Sequence, residues 1–321
     1  MICMHPILAL ILANTIWGAG PPIFKLALTN IPPFTLAFVR FFVAGCIFLP
    51  LALRHKIRTL SWGDWASIVV ASFFGISINI GFYFLGLQRA DSINASVIAS
   101  GAPIFGFFLS ILFLHERARI RTSFGMLISF VGILLLVCAP LFSGGGVAAS
   151  LSAWQGNIYY IVAMIGSVLF PLILKHVLNK VNIFVILCIG FFFAALTFFP
   201  FMIRELASWH YTQINLAGMF GVLYGTIFCS VIAYGLYYYG LARITAQEVG
   251  VFTYIDPVVT VFVAVPLLHE YPGRIYFAAF FLVIFGIYIS EGRVHYHPIL
   301  RLRAALHKEK IDPKAPLITE L

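Results

Sequence analysis

The sequence predicts an all-α integral membrane protein with ten transmembrane helices, and three observations carry that expectation. Apolar residues make up 62% of the 321-residue chain and charged residues only 10%, where a soluble domain carries about 25% charged side chains to keep its surface wetted. The mean hydropathy is +1.02, so most of the surface must face something apolar. The apolar residues also come in long unbroken runs, such as FGMLISFVGILLLVCAPLF. At about 1.5 Å of rise per residue, such a run crosses a hydrocarbon core of about 30 Å as a helix, and it lacks the alternation of a lipid-facing barrel strand.

Taken in order, the spans are expected over 5–27, 33–53, 65–87, 92–114, 121–140, 154–176, 183–203, 215–239, 246–268 and 274–291. No basic stretch precedes the first apolar run, and no small-residue cleavage site interrupts it, so it reads as the first helix and not as a removed leader. The formal net charge of +9 is placed by topology, and a nucleic-acid partner is not expected. If the N-terminus is cytoplasmic, the even-numbered loops carry Arg54, Lys56, Arg58, Arg117, Arg119, Arg121, Lys175, Lys180 and Arg243. The segment 292–321 adds Arg293, Arg301, Arg303, Lys308, Lys310 and Lys314, whereas the opposite loops hold only Arg89, Arg204 and Arg274. The positive-inside rule then puts both termini in the cytoplasm of a multi-pass cell (inner) membrane protein, with the basic tail against anionic lipid. Cys46, Cys138, Cys188 and Cys229 sit in apolar spans without metal-ligand spacing and read as buried free thiols. Neither a metal nor a cofactor is expected.

The chain repeats itself. YFLGLQRAD at 83–91 returns as YYYGLARIT at 237–245 (237 − 83 = 154), and in the same register Pro103 meets Pro257 and Leu114-His115-Glu116 meets Leu268-His269-Glu270. The first two helices repeat with a shorter shift, Pro21 and Lys25 matching Pro171 and Lys175 (175 − 25 = 150). Residues 1–143 and 144–291 are therefore read as two five-helix repeats, followed by the 292–321 tail. Because five is odd, the second repeat enters the membrane from the other side, an arrangement typical of carriers whose halves rock about a midplane site.

Trp17-Gly18, Lys25, Arg40, GLQRADSINASVIASGAPIFGFFLSILFLHER and its partner GLARITAQEVGVFTYIDPVVTVFVAVPLLHE resemble the drug/metabolite transporter superfamily, specifically its EamA type, over residues 5–291. That resemblance implies ten helices, both termini inside, and a central cavity opening alternately to either side. One departure stands out: His115 and His269 occupy positions where the family has glycine before the glutamate, which bears on a helix-end turn.

An ionisable group inside the membrane is a functional hypothesis by default. Arg40 lies about seven residues into the second helix, roughly 10 Å below its outer boundary. It either snorkels to the headgroups or anchors an anion such as a carboxylate with its planar fork. Its repeat mate is Gly190, so the charge breaks the symmetry. Asp256, before Pro257 in the middle of the ninth helix, needs a partner or a proton; Arg40 and Lys25 are candidate partners, a coupling proton is another reading, and satisfying backbone freed by Pro257 is a third. Lys25 reads as interfacial, Glu248 as solvated, and the His-Glu pairs as caps or ion pairs for neighbouring loops. Asn14 and Trp17 share a face of the first helix, Asn79 and Tyr83 are spaced i, i+4 on the third, and Tyr234 and Tyr238 on the eighth. Ser92, Ser96 and Ser100 form a stripe that reads either as helix–helix glue or as a cavity wall. The expected substrate contacts are thus Asn14, Trp17, Arg40, Asn79, Tyr83, Ser100, Tyr234, Tyr238 and Asp256, with Pro22, Pro103, Pro171 and Pro257 as hinge points.

These readings converge on a secondary transporter of a small organic solute, an amino-acid or metabolite exporter with a small-molecule substrate. The alternatives are a sugar-phosphate or nucleotide-sugar exchanger, which would gather more Lys and Arg around its cavity, and a passive facilitator or channel. An enzyme is not expected: HExxH, GxSxG and a paired aspartate cluster for a metal-bound diphosphate are absent from the sequence.

Overall fold

A computed structural model describes residues 4–54, 60–114, 120–142, 146–175, 177–178, 180–241, 243 and 252–291. His115, Glu116, Glu248 and the basic segment 292–321 lie outside the described residues. Ten apolar helices follow one another: α1 (Pro6–Ala27), α2 (Pro33–Ala52), α3 (Trp62–Leu87), α4 in two pieces (Ser92–Ala99 and Ala102–Leu114), α5 (Ile120–Phe142), α6 (Val147–Leu174), α7 (Ile183–Leu206), α8 (Leu216–Leu241), α9 (Ile255–Leu268) and α10 (Arg274–Glu291). Eight spans have the length and composition to cross a bilayer, and α9 and α10 are shorter but equally apolar. Large side chains such as Phe42, Leu127, Phe262 and Phe285 point outward around the bundle, as a lipid-facing surface requires. The sixth helix begins at Val147, ahead of the expected 154, because VAASLSAW contains no breaker to stop it.

The packing has the two-fold pattern of an inverted repeat. α2 lies along its repeat mate α7, and α5 along α10; α1 packs on α8 and α9 as α6 packs on α3 and α4. Small residues set the α5–α10 approach. Gly132 faces the Ala279 carbonyl, Gly125 faces Gly286, and Ser129 donates to the Val283 carbonyl at 2.9 Å. The loops obey the same operation. Asn30 Oδ1, in the α1–α2 loop, accepts from the Asn215 N–H at 2.9 Å at the start of α8. Its counterpart Lys180, in the α6–α7 loop, pairs with Asp64 at 3.1 Å at the start of α3. The first contact lies on the face where α1 ends, the second on the face where α1 begins.

Two irregularities are shared by both halves. α3 opens into a π-helical stretch at Phe73–Ile78 and α8 into a longer one at Tyr224–Ile232. Their starts stand 151 residues apart (224 − 73) and their ends 154 (232 − 78), so the three extra residues of the second stretch take up three of the four residues by which the repeat register changes from 150 to 154. The break of α4 at Ser100-Gly101 also lies close to the turn at Thr253-Tyr254 before α9, with Ser100 matching Tyr254 (254 − 100 = 154). Accordingly Asp256 and Pro257 fall in the first turn of the described α9 and not mid-helix, and Pro103 falls in the first turn after the α4 break. There a proline's missing N–H leaves no intrahelical bond unmade. Pro22 and Pro171 do lie inside their helices.

Candidate functional site

α1 is the element around which the polar groups collect. Trp17 donates its indole N–H to the carbonyl of Cys229 at 3.1 Å, within the π-helical stretch of α8, where the widened turn frees carbonyls. Its ring meets Tyr234 edge-on at 5.3 Å and Tyr237 at 5.2 Å. Tyr234 stacks on Tyr238 at 6.3 Å and meets Phe191 of α7 at 5.5 Å. Trp17 of α1 and the Tyr234/Tyr238 pair of α8, singled out separately in the sequence, thus meet through Tyr234. Tyr237 and Phe191 were not foreseen, because nothing in the YYY run or in an apolar α7 tells which ring faces inward.

Arg40 is buried, with 3% of its surface exposed, so it does not snorkel. Its Nε–H donates to Ser230 Oγ at 2.8 Å, and its guanidinium carbon lies 5.0 Å from the Phe24 ring centre and 4.9 Å from that of Phe41. Among the described residues it has no carboxylate partner. Gly225 leaves room for its stem: a Cβ there would meet Arg40 Cδ at 3.2 Å. Ser230 and Gly225 belong to the π-helical stretch, a feature that sequence periodicity does not reveal.

Of the three readings open for Asp256, pairing with Arg40 or Lys25 is not seen among the described residues. Asp256 Oδ1 is enclosed without a hydrogen-bond partner, and so is Asn14 Oδ1. The close α1–α9 crossing holds the aspartate there: a Cβ on Gly18 would lie 2.8 Å from the Asp256 carbonyl oxygen, and Thr260 donates to the Gly18 carbonyl at 2.6 Å. Tyr83 packs edge-on against Phe24 at 6.3 Å.

Other polar side chains singled out in the sequence make hydrogen bonds within the bundle. Asn79 donates to the Ala163 carbonyl at 2.6 Å, joining α3 to α6. Ser96 and Ser100 donate to the carbonyls of Ile93 and Val97 in their own helix, so neither glues α4 to a neighbour through its hydroxyl. Ser92 does reach across, to Glu270. That carboxylate accepts from the Ser92 N–H at 2.8 Å, the Ser92 hydroxyl at 2.7 Å, the Ile93 N–H at 3.2 Å and Lys25 Nζ at 2.6 Å. Lys25 also donates to the Ala90 carbonyl at 2.7 Å and lies 3.7 Å from Asp91. The Lys25 side chain, in the last turn of α1, thus ties the ends of α1 and α9 to the start of α4. The Asp91 side chain is 63% exposed; partial desolvation beside the bundle and the Glu270 carboxylate raise its carboxyl above the usual value, against the opposing pull of Lys25, an effect that the exposure keeps small. Just before Glu270, His269 adopts φ 56°, ψ 31°, the left-handed conformation that glycine takes most easily.

Comparisons with known proteins follow the same lines. The model of the family described as "EamA-like transporter family" matches residues 4–138 and 154–291, one match per half. The Bacillus subtilis protein named "Uncharacterized transporter YetK" is 27% identical over 89% of this chain and 87% of its own. The "Probable amino-acid metabolite efflux pump" of Salmonella typhimurium is 22% identical over 87% of this chain and 92% of its own. A crystal structure with 19% identity superposes with a TM-score of 0.63, covering 91% of this chain and 98% of that one, a likeness of fold.

Proposed function

Because the chain belongs to the EamA-like transporter family, we propose that it is a secondary carrier exporting a small organic carboxylate, an amino acid or a metabolite derived from one, by alternating access. The observation that carries this reading is Arg40. A buried cation is costly unless paired, and this one has two aromatic faces and one hydroxyl but, among the described residues, no carboxylate. The aromatic faces offset part of its desolvation, and a substrate carboxylate would complete its coordination with the two parallel hydrogen bonds that a guanidinium fork makes. A single arginine suits one carboxylate better than a phosphate dianion, which speaks against a sugar-phosphate exchanger. The efflux of amino-acid metabolites named for the Salmonella relative fits this chemistry.

In this reading the face where α1 begins is cytoplasmic, since its loops carry most of the lysines and arginines. The α1–α4–α9 junction around Lys25 and Glu270 is then a closure on the outer face, and Pro22 and Pro171, inside their helices, mark where helices bend as the halves rock, with Pro103 and Pro257 at the breaks beside them. In proteoliposomes, labelled substrate should accumulate by counterflow, which a simple pore does not support. Arg40→Ala should abolish this at unchanged abundance, and Arg40→Lys should lose most of it because an ammonium lacks the planar fork. Normal counterflow in Arg40→Ala refutes the anchor.

A further inference from the structure

The start of α4 is capped from another helix although its own capping residue is in place. Asp91 occupies the N-cap position with φ −67°, ψ 140°, and its carbonyl already accepts from the Asn94 N–H at 3.2 Å. An aspartate so placed accepts, as a rule, from the second or third N–H of its helix. Here the carboxylate makes no such bond and lies 3.7 Å from Lys25 Nζ. Glu270 of α9 takes the Ser92 and Ile93 N–H groups in its stead. Elsewhere in the chain residues of this type cap their own helices: Ser61 for α3, Asn182 for α7 and Asn215 for α8. α2 is the contrasting case. Glu205 of α7 accepts from its Phe34 and Thr35 N–H groups at 3.1 and 2.7 Å, but the residue at the N-cap is Pro32, whose side chain offers no acceptor. A second cap is held in reserve at α4 and not at α2.

The contacts around Asp91 divide into two groups. On one side Asn94 Nδ2 donates to Asn157 Oδ1 at 3.2 Å and the Tyr160 hydroxyl donates to the Asp91 carbonyl at 3.3 Å, which fixes the start of α4 to α6. On the other, Lys25 and Glu270 are joined at 2.6 Å at the ends of α1 and α9, two helices held together at the Gly18 crossing and by the Thr260 hydrogen bond. Between the groups run only the bonds from Ser92 and Ile93 to Glu270 and those of Lys25 to the Ala90 carbonyl and Asp91. We propose, on the reading of this junction as the outer closure, that Asp91 is a positioning residue of the transport cycle: it takes over the cap of α4 when α9 withdraws Glu270 and the outer face opens. Its backbone already has the capping conformation, so only the side chain turns. Leaving Lys25 costs little, because an ion pair this exposed contributes little. The closed state has Glu270 on α4 and Asp91 beside Lys25; the open state has Asp91 on α4 and Glu270 still on Lys25. With a cap available in each state the two come closer in free energy, as a carrier that must visit both requires.

The test reads how often the junction parts. Ile93→Cys keeps the N–H that Glu270 holds and sets a thiol where the side chain is 3% exposed. In the detergent-purified full chain, alkylation of that thiol by a charged maleimide, followed by peptide mass spectrometry, has a rate proportional to the open fraction, however small. Added to this parent, Glu270→Ala should speed alkylation. Asp91→Ala should slow it about fivefold, the loss of one cap from the open state. Asp91→Asn and Asp91→Ser, which cap without a charge, should not slow it, whereas Asp91→Glu, charged but a poor cap, should follow Asp91→Ala. Tryptophan fluorescence during heating shows that each variant is folded, and the comparison of Asp91→Asn with Asp91→Ala stands even if Glu270→Ala does not fold. Faster alkylation in Asp91→Ala, matched by Asp91→Asn, makes Asp91 a bolt on Lys25 and overturns the proposal. Slowing in Asp91→Asn equal to that in Asp91→Ala assigns the effect to charge and overturns it too, as do equal rates throughout the Asp91 series. A folded Glu270→Ala that alkylates no faster than its parent removes the closure and the cap exchange together.

Discussion

Truncating Glu270 tests the junction at the far ends of α1 and α9. The carboxylate is 8% exposed and accepts four hydrogen bonds, three from the first turn of α4 and one from Lys25. Loss of a helix-capping acceptor costs about 1 kcal/mol. A hydrogen bond to a charged group contributes about 1.5–3 kcal/mol, and its lower half applies because Lys25, 27% exposed, can still reach water. Glu270→Ala should therefore lose about 3 kcal/mol, which at about 2 °C per kcal/mol for a chain of this size is a fall in Tm of about 6 °C. Glu270→Gln retains an acceptor for the α4 N–H groups and should lose about half as much. Lys25→Met combined with Glu270→Ala should show a coupling of at least about 1 kcal/mol. Tryptophan fluorescence during heating in detergent measures all three variants. A Glu270→Ala protein melting within about 1 °C of wild type, or strict additivity with Lys25→Met, would refute the reasoning.

Three further outcomes follow from local geometry. His269→Gly removes a side chain from a left-handed residue and should raise stability by about 1 kcal/mol, read as a small gain in Tm; a loss would mean that the imidazole makes a compensating contact. Gly18→Ala places a Cβ 2.8–3.0 Å from the Asp256 backbone and Val259, none of which can swing aside, and should cost about 1–3 kcal/mol together with transport; unchanged melting and flux would mean that α1 and α9 slide freely. Asp91 carries a folded-state pKa above its unfolded value, so its ionisation opposes folding. Stability should rise slightly as pH falls through its raised folded value toward the ordinary 3.8, and Asp91→Asn should be more stable than wild type at neutral pH and lack that increment. An identical pH profile in the two proteins would exclude the effect.

Periodicity and repeat matching reached the helices and the inversion, because burial of apolar faces and the position of Pro, Gly and His-Glu pairs are local signals. The Tyr234/Tyr238 pair and the face of α1 that carries Trp17 were legible for the same reason, since helical spacing fixes which side chains share a face, but the contact between them was not. What stayed hidden depends on partners far along the chain. Glu270 meets Ser92 across 178 residues, and a helix-end pair carries no mark of which helix it will cap. Asp256 and Arg40 invited pairing as opposite charges, yet each is placed by a glycine opposite it, Gly18 and Gly225, and the two are kept apart. The π-helical stretches were invisible because an extra residue per turn leaves an apolar run looking as apolar as before. Ser230 and the Cys229 carbonyl entered the site only through that widening.

The way the two halves interleave bears on how such a chain can be divided. α1 finds its neighbours in α8 and α9, α6 in α3 and α4, and α2 and α5 lie against their own counterparts. Neither set of five helices has an interior to itself; each completes the other as two copies of one small protein would. A five-helix fragment made alone would show lipid the faces that now hold Gly18, Gly125 and Arg40. Two such fragments, cut between α5 and α6 and inserted in opposite senses, would find in each other the partner that the covalent link now guarantees.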